Sequence, residues 1–422
     1  MRALLRAMVL LALFLGLAAA AVAADPAVLA PLGGAVFGAQ PDAVSWNGRD
    51  PLNILVMGVD PRGAEAPHSD TMIVLHVDPA VHDVTMLSVP RDLYITLPGN
   101  YGATKINAAI TIGYNAVIGP QGAVAATATG AQYAQLAVQR ALGIPIDYYA
   151  VIRFAGFKRI VDALGGVTVC VPRALNDPTY PADTGYGYHP IDIKAGCQRM
   201  DGTVALEYAR ERHANAQQDL GRIQQQQALL TGIEKTLLSP GMLPRLPALL
   251  GAVNGAVATD LPRAALPELG LLLGRAGGAH TRHAYIDTNG GDVTQGTSGD
   301  GQSILVGNWP KIHALVTALF ADPRLRAEHA TVQVRNGQHT PGLATLYTGL
   351  IRGMGFATIA PRDADKSTYV RPLLVANADR PGAAYTVRML QRLLQANVAT
   401  RHIGSDHAQI VAILGSNVAE GS

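Results

Sequence analysis

Short apolar runs closed by Gly, Pro, Asn or Asp alternate along the chain with segments whose apolar positions recur every three or four residues. The short runs predict strands over residues 53–58, 72–77, 84–89, 148–152 and 167–171. The turn between the second and third runs through Asp78-Pro79, with Asp83 before the third strand. Helical spacing predicts helices over 107–114, 123–142 and 154–164; Gly143-Ile144-Pro145 and Gly165-Gly166 stop the last two. Residues 174–200 read as an excursion with few periodic apolar positions. Asp201-Gly202 opens a helix through Arg210, and 219–238 is the longest convincing helix, capped by Asp219 and ended by Ser239-Pro240. Residues 243–272 predict short helices, and 290–300 a glycine-rich surface loop. A strand over 331–335 then meets an Asn336-Gly337 turn. A helix over 341–354, a strand over 356–359, a helix over 383–394 and a strand over 410–414 follow.

Alternating strands and helices predict an α/β fold: a layered domain with a central mixed sheet flanked by helices, plus a small C-terminal α/β domain. The expected division is a signal peptide or membrane anchor (1–24), a lead-in linker (25–50), a catalytic domain (51–325) and the C-terminal domain (330–420). Arg2 and Arg6 precede an unbroken apolar run, 7–24, that carries Ala21-Val22-Ala23 as a cleavage triplet and is also long enough to span a bilayer. Either reading leaves the rest of the chain extracytoplasmic and associated with the cell envelope.

Composition narrows the chemistry. Of 422 residues only 15% are charged, and a net charge of +2 gives no support for a nucleic-acid partner. Neither CxxC nor HExxH occurs, so no zinc site is expected. The two cysteines, Cys170 and Cys197, form an even pair in an exported chain and predict a disulfide.

Against this charge-poor background, polar clusters fall at strand ends and helix starts. Asp60 and Arg62 follow the opening strand, where ligands bind in α/β sheets. Asp70 stands at the entrance of the second strand, and Arg91 and Asp92 at the exit of the third. If those two strands pair antiparallel, both carboxylates can reach one hard cation such as Mg²⁺, which needs few protein ligands beside waters and phosphate. Lys105 precedes a helix that Asn107 could cap, and helix N-termini favour anions. The stretch 207–227 gathers Arg210, Arg212 and Arg222 among Glu207, Glu211 and Asp219, with Gln226 beyond. Guanidinium groups match phosphate oxygens bidentately, so several of them with a lysine and a divalent cation suit a diphosphate. Pairing with Glu207 and Glu211 is the structural alternative for these arginines. Asp60 and Asp219 are the candidate bases.

At these residues the chain resembles the LytR–CpsA–Psr family of cell-wall ligases. The pieces are NILVMGVDPRG (53–63), SDTMIV (69–74), SVPRDLYITLPG (88–99), KINAA (105–109), FKRIVDALGGVTV (157–169), AGCQRMDGTVALEYARERH (195–213) and DLGRIQQQQ (219–227), all in the family order. The segment 332–356 resembles the LytR C-terminal domain. The resemblance implies an outward-facing, membrane-associated phosphotransferase. It would move a glycopolymer from a polyprenyl-diphosphate carrier to a peptidoglycan hydroxyl. It assigns Mg²⁺, with Mn²⁺ as a substitute, to Asp70 and Asp92. It assigns the diphosphate to Arg91, Arg210, Arg212 and Arg222, and polar pocket positions to Asp219 and Gln226. A disulfide between Cys170 and Cys197 also resembles one in such members. One position departs: the second arginine of the family's DxGRxxRQQ pattern is Gln225 here. A diphosphate hydrolase using the same pocket, and a non-catalytic envelope-binding or assembly protein, are the alternatives.

Overall fold

The computed structural model describes residues 46–59, 66–99, 101–181, 187–211, 239–253, 256–262, 281–394, 396–404 and 407–416, with single helical positions between 225 and 272. The apolar run 7–24 and most of the helix expected over 219–238 lie outside the described residues. No helix among the described residues is long and apolar enough to cross a membrane. Chain contacts divide the protein into two compact units.

The first unit comprises residues up to Val89, Ile110–Gln132 and Tyr148–Tyr285. Its centre is a mixed six-stranded sheet built from β1 (Leu52–Val59), β2 (Ser69–Asp78), β3 (Asp83–Val89), β6 (Tyr148–Arg153), β11 (Val257–Thr259) and β12 (Thr281–Tyr285). The order is β11-β6-β1-β2-β3-β12. β1 pairs parallel with β6 and antiparallel with β2, and β2 pairs antiparallel with β3. β1 is apolar at nearly every position because it is central and covered on both faces. The β2–β3 turn closes as expected through Asp78, whose carboxylate accepts the Ala80 N–H at 3.0 Å. Alternate residues Leu52, Ile54, Val56, Ile73, Leu75, Val84, Met86, Tyr148 and Ala150 pack into one buried cluster. Val161, Leu164, Ala205, Tyr208 and Leu249 join them from α3 (Phe154–Ala163), α4 (Gly202–Arg210) and α5 (Leu246–Val253) and the turns beside them. Each leucine buried there contributes about 1.5–3 kcal/mol. Helices α1 (Ala109–Asn115) and α2 (Ile118–Leu142) lie between β3 and β6 in sequence.

The expected excursion is structured. β8 (Leu175–Pro181) and β9 (Tyr188–Ile193) form an antiparallel ribbon, and β10 (Gly196–Met200) pairs with β7 (Val167–Val171). In that second pair Cys170 stands opposite Cys197, and the two form the expected disulfide across 27 positions. By loop entropy this bridge contributes about 3.5 kcal/mol. A Cys170→Ala/Cys197→Ala chain is therefore expected to melt roughly 10 °C lower than the parent. Differential scanning calorimetry with and without reductant checks this, since reductant should lower the parent and leave the double variant unchanged.

The second unit comprises Pro90–Ala109, Tyr133–Asp147 and residues from Ile286 onward. One sheet joins β4 (Leu93–Thr96), β5 (Ala103–Lys105), β13 (Val293–Thr297) and β14 (Ser303–Gly307) in the order β13-β14-β4-β5. Residues 290–300, expected as loop alone, thus supply strand β13. The C-terminal α/β sheet joins β15 (Thr331–Asn336), β16 (Ala357–Thr358), β18 (Leu373–Asn377), β19 (Asn397–Arg401) and β20 (Ile410–Leu414), with β17 (Arg362–Asp363) also beside β15. Its helices are α6 (Trp309–Phe320) and α7 (Pro323–Glu328) before β15, then α8 (Leu343–Gly353) and α9 (Ala384–Leu394). An ion pair from Arg392 Nη2 on α9 to Asp147 Oδ1, 2.5 Å long and nearly buried, ties this sheet's helices to the segment after α2. Removing one partner takes a counter-charge from the other in a nearly buried setting. Asp147→Ala is expected to cost about 3–5 kcal/mol in denaturant unfolding, and an Asp147→Ala/Arg392→Met pair to recover much of it.

Candidate functional site

Strand direction decides where the first unit presents its polar groups. β1 and β6 run parallel and finish together, with Val59 opposite Arg153. β2 runs the other way, so Ser69 also lies opposite Val59. Asp70, second in β2, therefore sits at the carboxyl edge of β1 and β6, where α/β sheets bind ligands. Asp60 and Arg62, which follow β1, lie outside the described residues.

Phe154 opens α3 directly after β6 and reaches over this edge. A Cβ on Gly58 would stand 3.4 Å from Thr71 Cβ and 3.9 Å from Phe154 Cε1. Arg210, the last residue of α4, stacks on the same ring. Its guanidinium carbon is 4.9 Å from the Phe154 centroid and 5.8 Å from that of Tyr180. A cation over two aromatic faces is held in place by their π-systems. Tyr180 in turn meets the His189 ring edge-to-face at 5.2 Å, and His189 Nε2 lies 2.9 Å from Glu207 Oε1. Glu207 is one helical turn before Arg210, so both project from one face of α4. Phe154, Tyr180 and His189 were missed in the sequence. The signal for Phe154 was its position immediately beyond a parallel strand.

The angle of α4 rests on a glycine. Asp201 caps the helix, accepting the Val204 N–H at 2.9 Å, and the Gly202 N–H donates to Asp162 Oδ1 at 2.8 Å. A Cβ on Gly202 would stand 2.3 Å from the Lys158 carbonyl oxygen of α3, and backbone cannot swing aside. Gly202→Ala is expected to cost about 1–3 kcal/mol by thermal melting and to displace Arg210 from Phe154.

The second unit carries a separate polar group. Pro90–Asp92 form a turn closed by the Leu93 N–H donating to the Pro90 carbonyl at 3.1 Å. In this turn Arg91 and Asp92 are presented together, with Arg91 Nε 3.5 Å from Asp92 Oδ2. Lys105 Nζ approaches Asp92 Oδ1 at 3.0 Å. All three side chains are a quarter to a third exposed, so these pairs contribute only about 0.2–1 kcal/mol each. Asn107 does not cap a helix as expected. It lies inside the 3₁₀ turn Ile106–Ala108, where the preceding position is Lys105, and its backbone N–H donates to the Arg91 carbonyl at 3.2 Å. The structure therefore gathers Arg91, Asp92, Lys105 and Asn107 in one unit, with Asp70 and Arg210 in the other.

The sequence model of the LytR_cpsA_psr family matches residues 36–319, well over half of the chain. The protein belongs to the LytR_cpsA_psr family. Among curated relatives, the Corynebacterium glutamicum "Probable cell wall biosynthesis protein LcpB" is 37% identical over 175 residues, 42% of this chain and 36% of that one. The "Polyisoprenyl-teichoic acid--peptidoglycan teichoic acid transferase TagU" of Enterococcus faecalis is 32% identical over 221 residues, 52% of this chain and 64% of that one. The match thus spans about a third of the first relative's length and just under two thirds of the second's. Among solved structures, that of B. subtilis TagV is 24% identical, with a TM-score of 0.48 over 64% of this chain and 96% of that one.

Of the residues that the resemblance to LytR_cpsA_psr proteins assigned, Arg212, Asp219, Arg222 and Gln226 lie outside the described residues. Gln225, at the departing position, is 4% exposed, and neither of its amide atoms has a hydrogen-bond partner among the described residues. Of the acids in that stretch, Glu207 pairs with His189, while Arg210 lies on aromatic rings. No group of three or more His, Cys, Asp or Glu side chains suited to a metal ion occurs among the described residues. The family nevertheless leaves room for metal-assisted chemistry. Two carboxylates supply the hard oxygen donors that Mg²⁺ takes, with waters and phosphate completing its shell.

Proposed function

We propose that the protein is a Mg²⁺-dependent phosphotransferase that moves a glycopolymer from a polyprenyl-diphosphate carrier to a peptidoglycan hydroxyl, outside the cytoplasm. The observation that carries this reading is Arg210, held across Phe154 and Tyr180 at the carboxyl edge of the central sheet in a chain of the LytR_cpsA_psr family. The teichoic acid transfer to peptidoglycan for which Enterococcus faecalis TagU is named supports the same substrate class.

In this reading Arg210 and Arg91, with Arg212 and Arg222, neutralise the diphosphate and the charge that grows on its leaving half. Asp70 and Asp92, the acids that the family resemblance assigns to the metal, would hold Mg²⁺, which when bound would withdraw charge from the phosphate oxygens. Lys105 and Arg91 fix the Asp92 carboxylate from two sides. The acceptor hydroxyl oxygen bonds to the glycan-side phosphorus, the bridging P–O bond breaks, and polyprenyl phosphate leaves. Asp60 or Asp219 takes the hydroxyl proton. Asn107 and Gln226, with Arg62, orient the polar ends of the substrates.

The test supplies the purified protein with Mg²⁺, a radiolabelled polyprenyl-diphosphate oligosaccharide and a soluble peptidoglycan oligomer. Label joined to the oligomer with release of polyprenyl phosphate is the expected outcome. Cleavage without joining would replace the reading by a hydrolase, and binding without turnover by a carrier or assembly protein.

A further inference from the structure

The second unit holds a cleft of about 240 Å³ lined in part by Lys105. Its floor is one face of the β13-β14-β4-β5 sheet. Tyr94 stands opposite Lys105 across β4 and β5, and Val306 opposite Tyr94 across β14 and β4. Ile304, two positions before Val306, shares that face. The wall is the tight turn joining β13 to β14. There Asp300 accepts hydrogen bonds from Ser298 Oγ and, at 2.6 Å, from Gln302 Nε2. The Gln302 N–H donates to Ser298 Oγ at 3.0 Å, and the Gly301 N–H to the Ser298 carbonyl at 2.9 Å. The turn is thus cross-braced and holds its carboxylate in one place.

The lining selects a ligand class. Hydrogen bonds from Ser298 and Gln302 hold the Asp300 carboxyl below the usual carboxylate range, so it is charged at neutral pH. A fixed anion on the wall repels phosphate and carboxylate. The Lys105 charge is committed to Asp92 at 3.0 Å, so the cleft is a poor anion site. What remains is an aromatic ring and a methyl-bearing floor facing a carboxylate, an amide and hydroxyls. That combination suits a neutral ring with an apolar face and several hydroxyl donors.

We propose that this cleft is a subsite for a hydroxyl-bearing sugar ring of one of the glycans that the transferase handles. The inference rests on the transferase reading for the presence of a glycan, and its test does not depend on turnover. Occupancy would place a sugar next to the Lys105–Asp92 pair, so the subsite would set which hydroxyl or which glycan unit is presented there.

The full chain, methyl-labelled at isoleucine, is titrated with a soluble peptidoglycan oligomer and separately with a lipid-free glycopolymer fragment, each without Mg²⁺ or donor. The expected result is a saturable shift of the Ile304 methyl and the 298–302 amides with one of the two. An Asp300→Ala/Gln302→Ala variant should weaken that binding about tenfold or more. Asp300→Asn, which keeps the shape of the turn, should weaken it less. Shifts with the oligomer place the acceptor in the cleft; shifts with the fragment place the donor glycan there. If neither glycan shifts these signals, or the double variant binds as the parent does with an unchanged melting temperature, the subsite does not exist. If binding behaves as expected while no transfer is ever seen, the sugar subsite stands and the transferase reading falls.

Discussion

Arg210→Ala is expected to lower glycopolymer transfer by about a hundredfold or more while leaving the fold intact. The expectation follows from where the charge sits. The guanidinium lies over Phe154 and Tyr180 and closes the last turn of α4. Removing it takes away a fixed donor without opening the core, because the residues that pack α4 against the sheet are Ala205 and Tyr208. Arg210→Lys retains a charge but neither the planar stack nor the bidentate edge, and should recover only part of the rate. Steady-state kinetics with labelled lipid donor, alongside melting curves, decide the matter. A rate within threefold of the parent would remove Arg210 from the diphosphate site.

Asp92→Ala should be at least as damaging. The carboxylate has two cationic neighbours, Arg91 and Lys105, and the proposed role adds a third cation. In the proposed role its loss would take a hard oxygen from Mg²⁺, and it would also free Lys105 from its 3.0 Å contact. A fall of about a hundred- to a thousandfold is expected, with the Mg²⁺ concentration for half-maximal rate moved upward. Because the pairs are partly exposed, the melting temperature should change little. A variant with the parent's rate and the parent's Mg²⁺ dependence would show that Asp92 holds no metal. Arg91→Ala, assayed beside it, separates loss of the carboxylate from loss of its neighbour.

What could be seen in the sequence depended on how much apolar surface an element buries. The runs over 53–58 and 84–89 became β1 and β3 within a residue or two because they are buried along nearly their whole length. The run over 167–171 became β7 because Val167, Val169 and Val171 are buried between exposed Thr168 and Cys170. The helix expected from 154 ends where Gly165 and Gly166 take positive φ of 79° and 83°. Elements with one wet face were harder to see. β9 reads YHPIDI and alternates between exposed and buried, with Pro190 inside it, and its partner β8 carries Pro178. Two-stranded ribbons need no continuous apolar face, so the pattern was too thin. β13, VTQGT, has one buried residue and a glycine, and was indistinguishable from loop. β18 and β19 were passed over between stronger neighbours.

At the site, residue type and order exposed the charged groups but not what braces them. Arg210 was legible as an arginine among acids. The rings on which it rests come from 154 and 180, distant in sequence and ordinary in composition. Neighbours such as Arg91 and Asp92 face opposite sides of an ideal strand, and here a turn presents them together. Asn107 was misjudged because a 3₁₀ turn starts at Ile106, one residue before the expected helix, and the α-helix itself starts only at Ala109.

The bond between Cys170 and Cys197 encloses the whole β8–β9 ribbon between adjacent strands β7 and β10. A protease that cuts the backbone once anywhere inside that loop therefore leaves two fragments still covalently joined. The nicked chain would migrate as one species without reductant and as two with it. The bridge thus lets one cut in the ribbon leave the pieces that carry Phe154 and Arg210 covalently tethered.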